Sequence, residues 1–360
     1  MSISKVIQSA VDSIHFAEQK KKRVSEKLFP MKKMDLELPA EFAERKLTLP
    51  VENWVPQGKI AGVDSGFVAK RLSSVDLVLI RAVGVVFEYE GGIVKNAAYY
   101  PGYFRFPEPH LSNSALEEDE AEQSKSLMRL REEVSASKKV IEKFSPKYLF
   151  IDGSIVPQYQ DKPRKESRLS GDYVGIIREF ESLYEIAQKN SCTLVSTVED
   201  SRGSRFVSML RESILKNDPM GDELANVYDS SFLDYFLSVG ERSCAFTYTK
   251  NIRQHPVLQD FSQEWSNSIY ALYMKPTAYD RPLRVEFIAQ GDVSAAANEV
   301  ARVAMSLSSL HREYAYPSIL IEADLHAKLR PDEIEIVYNK IMDKLGNSVK
   351  LKMRRDNRPF

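Results

Sequence analysis

Two stretches, Gly62-Val63-Asp64-Ser65-Gly66 and Phe150-Ile151-Asp152-Gly153-Ser154, decide how this chain is read. Each closes an apolar run with an aspartate followed by small residues. That pattern predicts a buried strand whose C-terminal end presents a carboxylate beside a tight turn. Carboxylates on neighbouring strands can share a divalent cation, which is the usual equipment for hydrolysing phosphodiesters. A single aspartate at a strand end ordinarily caps a turn. Two in the same context make a shared site the sharper reading, and their glycines would let a phosphate approach the backbone.

Working outward, Leu77 to Tyr89 is rich in Val, Ile and Phe and predicts a long strand. Glu90-Gly91-Gly92 marks a hairpin, and Ile93 to Tyr100 returns. Residues 107–124 are polar and acidic and are expected to form a mobile connector. A helix is predicted over 124–144, strands over 148–152 and 193–198, and a helix over 172–188 between them; 157–170 is expected to be a basic surface loop. Residues 204–240 read as helical. Strands near 242–249, 269–275 and 283–289 and helices near 293–309, 319–329 and 332–345 follow. This alternation predicts an α/β fold. Ile3, Ile7, Ala10, Ile14, Ala17, Val24 and Leu28 set one stripe of an amphipathic N-terminal helix. The expected organisation is an N-terminal helix and connector (1–57), one domain (58–347) with a helical insertion at about 204–240, and a basic tail (348–360).

Two further carboxylates join the aspartates. On the predicted helix, Leu127, Leu130, Val134 and Ile141 define the buried stripe. At about 100° per residue, Glu133 falls about 60° from its centre and leans toward the sheet, whereas Glu132 is expected to face water. Late in the chain, Tyr316-Pro317 opens a helix that carries Asp324 and His326. Spaced by two, these do not share a helix face, so at most one is a direct ligand. Oxygen donors suit Mg²⁺ or Mn²⁺, and a nearby imidazole tilts the balance to Mn²⁺.

Composition bounds the alternatives. The 360 residues are 43% hydrophobic and 28% charged, ordinary for a globular protein. No apolar run approaches the ~20 residues that span a bilayer, and no signal-peptide pattern opens the sequence, so an intracellular, cytoplasmic protein without membrane contact is expected. Cys192 and Cys244 are far apart and suggest neither a disulfide framework nor a cysteine metal knuckle. The net charge of −1 gives no overall nucleic-acid signature. Local basic clusters exist at Lys20-Lys21-Lys22-Arg23, at Lys162, Arg164, Lys165 and Arg168, and at Lys350, Lys352, Arg354, Arg355 and Arg358; solvated faces or frayed ends are their ordinary role. There is no Walker A motif, Rossmann fingerprint or HExxH. An actin-like phosphotransferase, suggested by the Asp-x-Gly turns, lacks the late glycine-rich turns that it needs.

In order and spacing, Val63-Asp64-Ser65, the helix glutamate, Phe150-Ile151-Asp152-Gly153-Ser154, Gly240-Glu241-Arg242-Ser243, Arg284-Val285-Glu286, and Tyr316-Pro317 leading to Ala323-Asp324 resemble the NurA nuclease family. The resemblance covers most of the chain. It implies an RNase H-like mixed sheet flanked by helices, a homodimer with a central channel, and manganese-dependent DNA cleavage. It also implies a partner, the hexameric HerA ATPase, in resecting DNA ends for recombinational repair. Asp64, Glu133, Asp152 and Asp324 would be the catalytic metal ligands, with Tyr316 and His326 as supporting residues. Many relatives carry histidine where Asp324 stands; an aspartate there can still coordinate the metal, and His326 then has a supporting role or none. Relatives often carry a lysine after the strand ending at Val198; here a phosphate-holding role would pass to Arg202 or Arg205 or be lost, and Lys162, Arg164 and Lys165 are further candidates for DNA binding. Tyr103, Phe104 and Phe106 could stack on unpaired bases. The non-catalytic alternative is an adaptor that docks on a motor ATPase and channels DNA.

Overall fold

A computed structural model describes residues 3–112, 116–346 and Met353. The basic tail expected at 348–360 otherwise lies outside the described residues. In chain order the elements are α1 (Ile3–Leu28), β1 (Thr48–Pro50), β2 (Gly58–Arg71), β3 (Asp76–Glu90), β4 (Ile93–Tyr100), β5 (Glu108–Ser112), α2 (Glu118–Phe144), β6 (Tyr148–Asp152), α3 (Ser170–Lys189) and β7 (Thr193–Val198). Then come α4 (Arg205–Glu212), α5 (Met220–Glu223), α6 (Asp229–Phe236), β8 (Glu241–Ser243), β9 (Phe246–Thr247), α7 (Gln263–Ser266), β10 (Ile269–Met274), β11 (Leu283–Ile288), α8 (Val293–Ser308), α9 (Ser318–Ala327) and α10 (Pro331–Leu345). The chain divides into two compact units: Met1–Pro56, Val195–His255 and Gln263–Ser318 form the first, and Gln57–Leu194, Pro256–Ser262 and Ile319–Phe360 the second. Among the described residues no helix is long and apolar enough to cross a membrane.

In the second unit, β2, β3 and β4 form an antiparallel meander, and β6 joins β2 in parallel. Three antiparallel strands, a helix and a parallel strand make the RNase H-like arrangement, a mixed sheet flanked by helices. Helix α2 packs on β2 and β3 and beside α3. Leu72, Leu77 and Leu79 bury against Leu329 and, on α10, Ile334, Val337 and Tyr338.

The segment before α2 departs from the sequence expectation at two places. The acidic run at 117–120 is no connector. Glu118, Asp119 and Glu120 form the first turn of α2, where carboxylates meet the positive end of the helix dipole. Residues 108–112 are likewise a strand, β5, paired with Asp76–Ile80 of β3. Its sequence, Glu-Pro-His-Leu-Ser, lacks apolar alternation because it is an addition to β3 rather than a core strand.

In the first unit, β1, β8, β10, β11 and the Val195–Val198 part of β7 are successive antiparallel neighbours. The end of α1 enters its core, where Val24 and Leu28 pack with Phe206, Phe232 and Phe236. Arg242 is fully buried and grips Glu44 with two nitrogens at 2.6 and 2.7 Å. Arg284 pairs with Glu286 at 2.7 Å, and Lys32 with Glu241 at 2.8 Å. The motifs around Arg242 and Arg284 thus supply buried ion pairs that hold this unit's sheet; removing one partner strands a buried charge.

Strand β2 is unusual in having glycines at 62 and 66, on the same face as Asp64. A Cβ on Gly62 would lie 2.9 Å from the Ile319 carbonyl oxygen, and one on Gly66 would lie 2.6 Å from that of Ala327. Both ends of α9 therefore rest on bare strand backbone. The expected turn after Asp64 does not exist, since β2 continues to Arg71; Gly66 accommodates a helix instead. We expect Gly66→Ala to destabilise the protein by about 1–3 kcal/mol, because backbone must move to admit the methyl group. Gly171→Ala, with nothing within 4 Å of the added carbon, is the control and should be neutral or better. Urea unfolding of both variants measures this; equal midpoints would show that the α9 contact is loose.

Candidate metal centre

Strand pairing brings the two signature aspartates together. Gly62 lies opposite Phe150 and Val63 opposite Ile151 in the parallel β2–β6 ladder. Asp64 and Asp152 occupy the next level, on strands about 5 Å apart. β6 ends at Asp152, and the chain turns away through Gly153 at φ +84°, a conformation that glycine adopts without strain.

The helices complete the group from the two faces of the sheet. Ser65 points to the α2 side, and its hydroxyl donates to Oε2 of Glu133. Arg129, one turn earlier on α2, reaches the same oxygen at 2.8 Å and the Ser65 hydroxyl at 3.2 Å. The Ser65 amide donates to Oδ1 of Asp64 at 2.7 Å. On the opposite face, α9 lies against Gly62 and Gly66 and carries Asp324, which is solvent-exposed. Asp64 is 6% exposed and Glu133 3%; Asp152 is half-buried.

The electrostatics register this crowding. Burial first, and then the charges of Glu133, Asp152 and Asp324, push the Asp64 carboxyl up to about 8, although the Ser65 amide favours its ionised form. Burial also raises Glu133, against the pull of the Arg129 guanidinium and the Ser65 hydroxyl. Asp64 thus has three further carboxylates within electrostatic reach, oxygen donors that Arg129 only partly neutralises. A hard divalent cation fits that description.

Other residues singled out from the sequence have varied surroundings. The Tyr316 hydroxyl donates to the Thr197 carbonyl at 3.0 Å. His326 is 3.2 Å from Glu322, whose Oε1 also accepts from Tyr99 at 2.8 Å, and its ring packs 4.8 Å from those of both Tyr99 and Tyr103. Phe104 and Phe106 are exposed. Lys162 is engaged by Asp260 and the Pro256 carbonyl, both at 2.5 Å, and Arg205 by Glu41. Arg164, Lys165 and Arg202 are exposed, and Arg164 lines a cleft with Arg129 and Asp161. Glu132 does not face open water as its helical phase suggested; it is half-buried beside Glu108 and His110 of β5.

Sequence reasoning missed Arg129, Ser65 and Asp161. Arg129 had a legible signal, since four residues before Glu133 is the spacing of a helical ion pair. Ser65 was visible only as a small residue after Asp64. Asp161 is buried in a short 3-10 turn, accepting from Ser126 at 2.6 Å and from the Gln158 amide at 2.7 Å. Nothing in a polar loop distinguished it.

A pH dependence follows. The folded, metal-free protein keeps Asp64 protonated at neutral pH, whereas the unfolded chain ionises it above its ordinary 3.8. The folded state binds the extra proton, so this group's contribution to stability falls as pH rises from about 4 to about 8. A metal ion must displace that proton, so Mn²⁺ affinity should climb with pH up to about 8 and then level off. Calorimetry in buffers of different ionisation enthalpy should show proton release on binding. An affinity that stays flat across that range would remove Asp64 from the ligand set.

Comparison with known proteins agrees with this architecture. The NurA domain matches residues 58–329. The crystal structure of the NurA nuclease from Sulfolobus solfataricus is similar over 96% of this chain and 96% of its own, at 14% identity and a TM-score of 0.55. A crystal structure of NurA bound to dAMP and manganese aligns over 96% of this chain and 97% of its own, at 12% identity and a TM-score of 0.47. No curated protein matches by sequence. With most of its length covered by the domain, and with the fold of the Sulfolobus enzyme, the chain belongs to the NurA family.

Proposed function

We propose that Asp64, Glu133, Asp152 and Asp324 form the catalytic metal centre of a divalent-metal-dependent DNA nuclease. Membership of the NurA family makes the chain a metal-dependent deoxyribonuclease; the placement of the chemistry on these four residues is our reading. The observation that carries it is the placement of buried Asp64 beside Asp152 at the ends of paired strands, where burial and three neighbouring carboxylates push its carboxyl up to about 8. Such a group is poorly placed for stability and well placed to receive a cation.

The four carboxylates would hold Mn²⁺ or Mg²⁺, which in such sites polarises the phosphate and makes bound water a nucleophile. Asp64 would give up its proton to hold the cation. Arg129 and the Ser65 hydroxyl fix the Glu133 carboxylate, so that it need not reorient on binding. Exposed Arg164, Lys165 and Arg202 are candidates for holding DNA phosphates. Lys162 and Arg205 would have to exchange their carboxylate partners to do so. Tyr103, Phe104 and Phe106 offer exposed rings for unpaired bases.

The wider role follows the family resemblance. We infer a cytoplasmic homodimer that works with a HerA-type hexameric ATPase in DNA end resection for recombinational repair. Helix α1 supports the assembly part of this reading. Only its end is buried, at Lys21, Val24, Ser25 and Leu28, whereas Ile3, Val6, Ile7, Val11, Ile14 and Phe16 are exposed. Apolar residues in such number along one helix suit a protein partner.

Cleavage of a fluorescent single strand in Mn²⁺ tests the centre. Asp152→Asn and Glu133→Gln should each lower the rate by at least about 100-fold. Glu142→Gln, on the exposed side of the same helix, should leave it within about threefold. Full activity in a folded Asp152→Asn protein would refute the assignment. For assembly, Ile7→Glu/Ile14→Glu should weaken the dimer or ATPase binding in light scattering while sparing Mn²⁺ affinity. Truncating residues 1–28 is a poorer test, because Val24 and Leu28 belong to the first unit's core. Unchanged masses, alone and with the ATPase, would show that α1 serves neither contact.

A further inference from the structure

The geometry points to a second divalent-metal site, built by Glu108, His110 and Glu132. Glu108 and His110 are two apart on β5 and so project from the same face of that strand. Glu132 comes from α2, which packs on β3, the strand that pairs with β5. One ligand atom from each residue lies within 4.8 Å of the others. An ion about 2.0–2.2 Å from each donor would close that triangle with small rotamer changes.

Three observations argue that these groups need a cation. Nε2 of His110 is buried and has no hydrogen-bond partner among the described residues, a costly state for a ring nitrogen. Glu132 has no hydrogen bond or ion pair among the described residues. Glu108 is paired with Arg105 through Oε1, and its second oxygen has no hydrogen bond or ion pair among the described residues. The cluster thus holds two carboxylates and an orphaned imidazole nitrogen with one guanidinium at its rim.

The donor set also names the class of ion. Two carboxylates and an imidazole suit a borderline first-row cation, Zn²⁺ above Mn²⁺, better than Mg²⁺ or Ca²⁺, which prefer oxygen alone. The site is separate from the four-carboxylate centre. β5 pairs with β3 at Asp76–Ile80, whereas Asp64 stands on β2, on the other side of β3, and Glu132 lies about 100° round α2 from Glu133. Its ion would tie β5 to α2 at the residue preceding Glu133, and so would fix the helical turn that presents Glu133.

Zn²⁺ binding is best measured in Asp64→Asn/Asp152→Asn protein, where the first centre is disabled. Equilibrium dialysis with metal analysis should find about one Zn²⁺ per chain, and the same protein with His110→Ala added should find none. Zn²⁺ should raise the melting temperature of the first protein and not of the second. Should His110→Ala fail to fold, Glu132→Gln, which keeps the shape, should weaken Zn²⁺ by more than about tenfold. Absence of bound Zn²⁺ in the Asp64→Asn/Asp152→Asn protein, or equal binding after either further substitution, would overturn the site. Because nuclease chemistry is already disabled in this background, the outcome is independent of the proposed activity.

Discussion

Helix α9 can lie on strand β2 only because nothing projects from the strand at two positions. At Gly62 and Gly66 even a methyl group would come within 3 Å of the helix's own carbonyl oxygens. Between them on the same face stands Asp64, the one side chain the strand sends into that gap. Backbone contact thus does two things at once. It buries Asp64, and it brings Asp324 within reach of that carboxylate. Replacing either glycine would act on the charge cluster through packing rather than through chemistry.

The cluster is a local liability that the rest of the second unit sustains. Burying Asp64 and Glu133 costs free energy, and their mutual repulsion adds to it. Arg129 offsets part of this at Glu133, and the Ser65 amide part of it at Asp64. Stability must come from elsewhere: the apolar strands, with Ile60, Val63, Tyr148 and Phe150 fully buried, and the packing of α10 on β3. A destabilised cluster on a well-packed scaffold is the usual condition of a functional site.

Much of this was legible in the sequence because it depended on local patterns. The matched aspartate stretches foretold two strands, and helical phase placed Glu133 at the buried edge of α2. What stayed hidden depended on distant partners. Gly66 looks like a turn residue until Ala327 is seen above it. The acidic run at 117–120 looks like a linker until it is recognised as a helix start, and β5 has no strand signature apart from its pairing with β3. Glu132 was assigned to water because the stripe rule counts only the sheet beneath a helix, whereas β5 supplies a neighbour at its side. The buried pairing of Arg242 with Glu44 joins residues far apart in the chain, so the motif around Arg242 carried the family resemblance without disclosing its structural task.

The four carboxylates enter the chain in a fixed order: Asp64 on an early strand, Glu133 and Asp152 in the middle, Asp324 on α9. A ribosome-bound chain lacking Ser318–Ala327 therefore carries three of the four acids, with the glycine strip of β2 uncovered. On the proposed assignment of the centre, translation reaches its last ligand only when α9 is made.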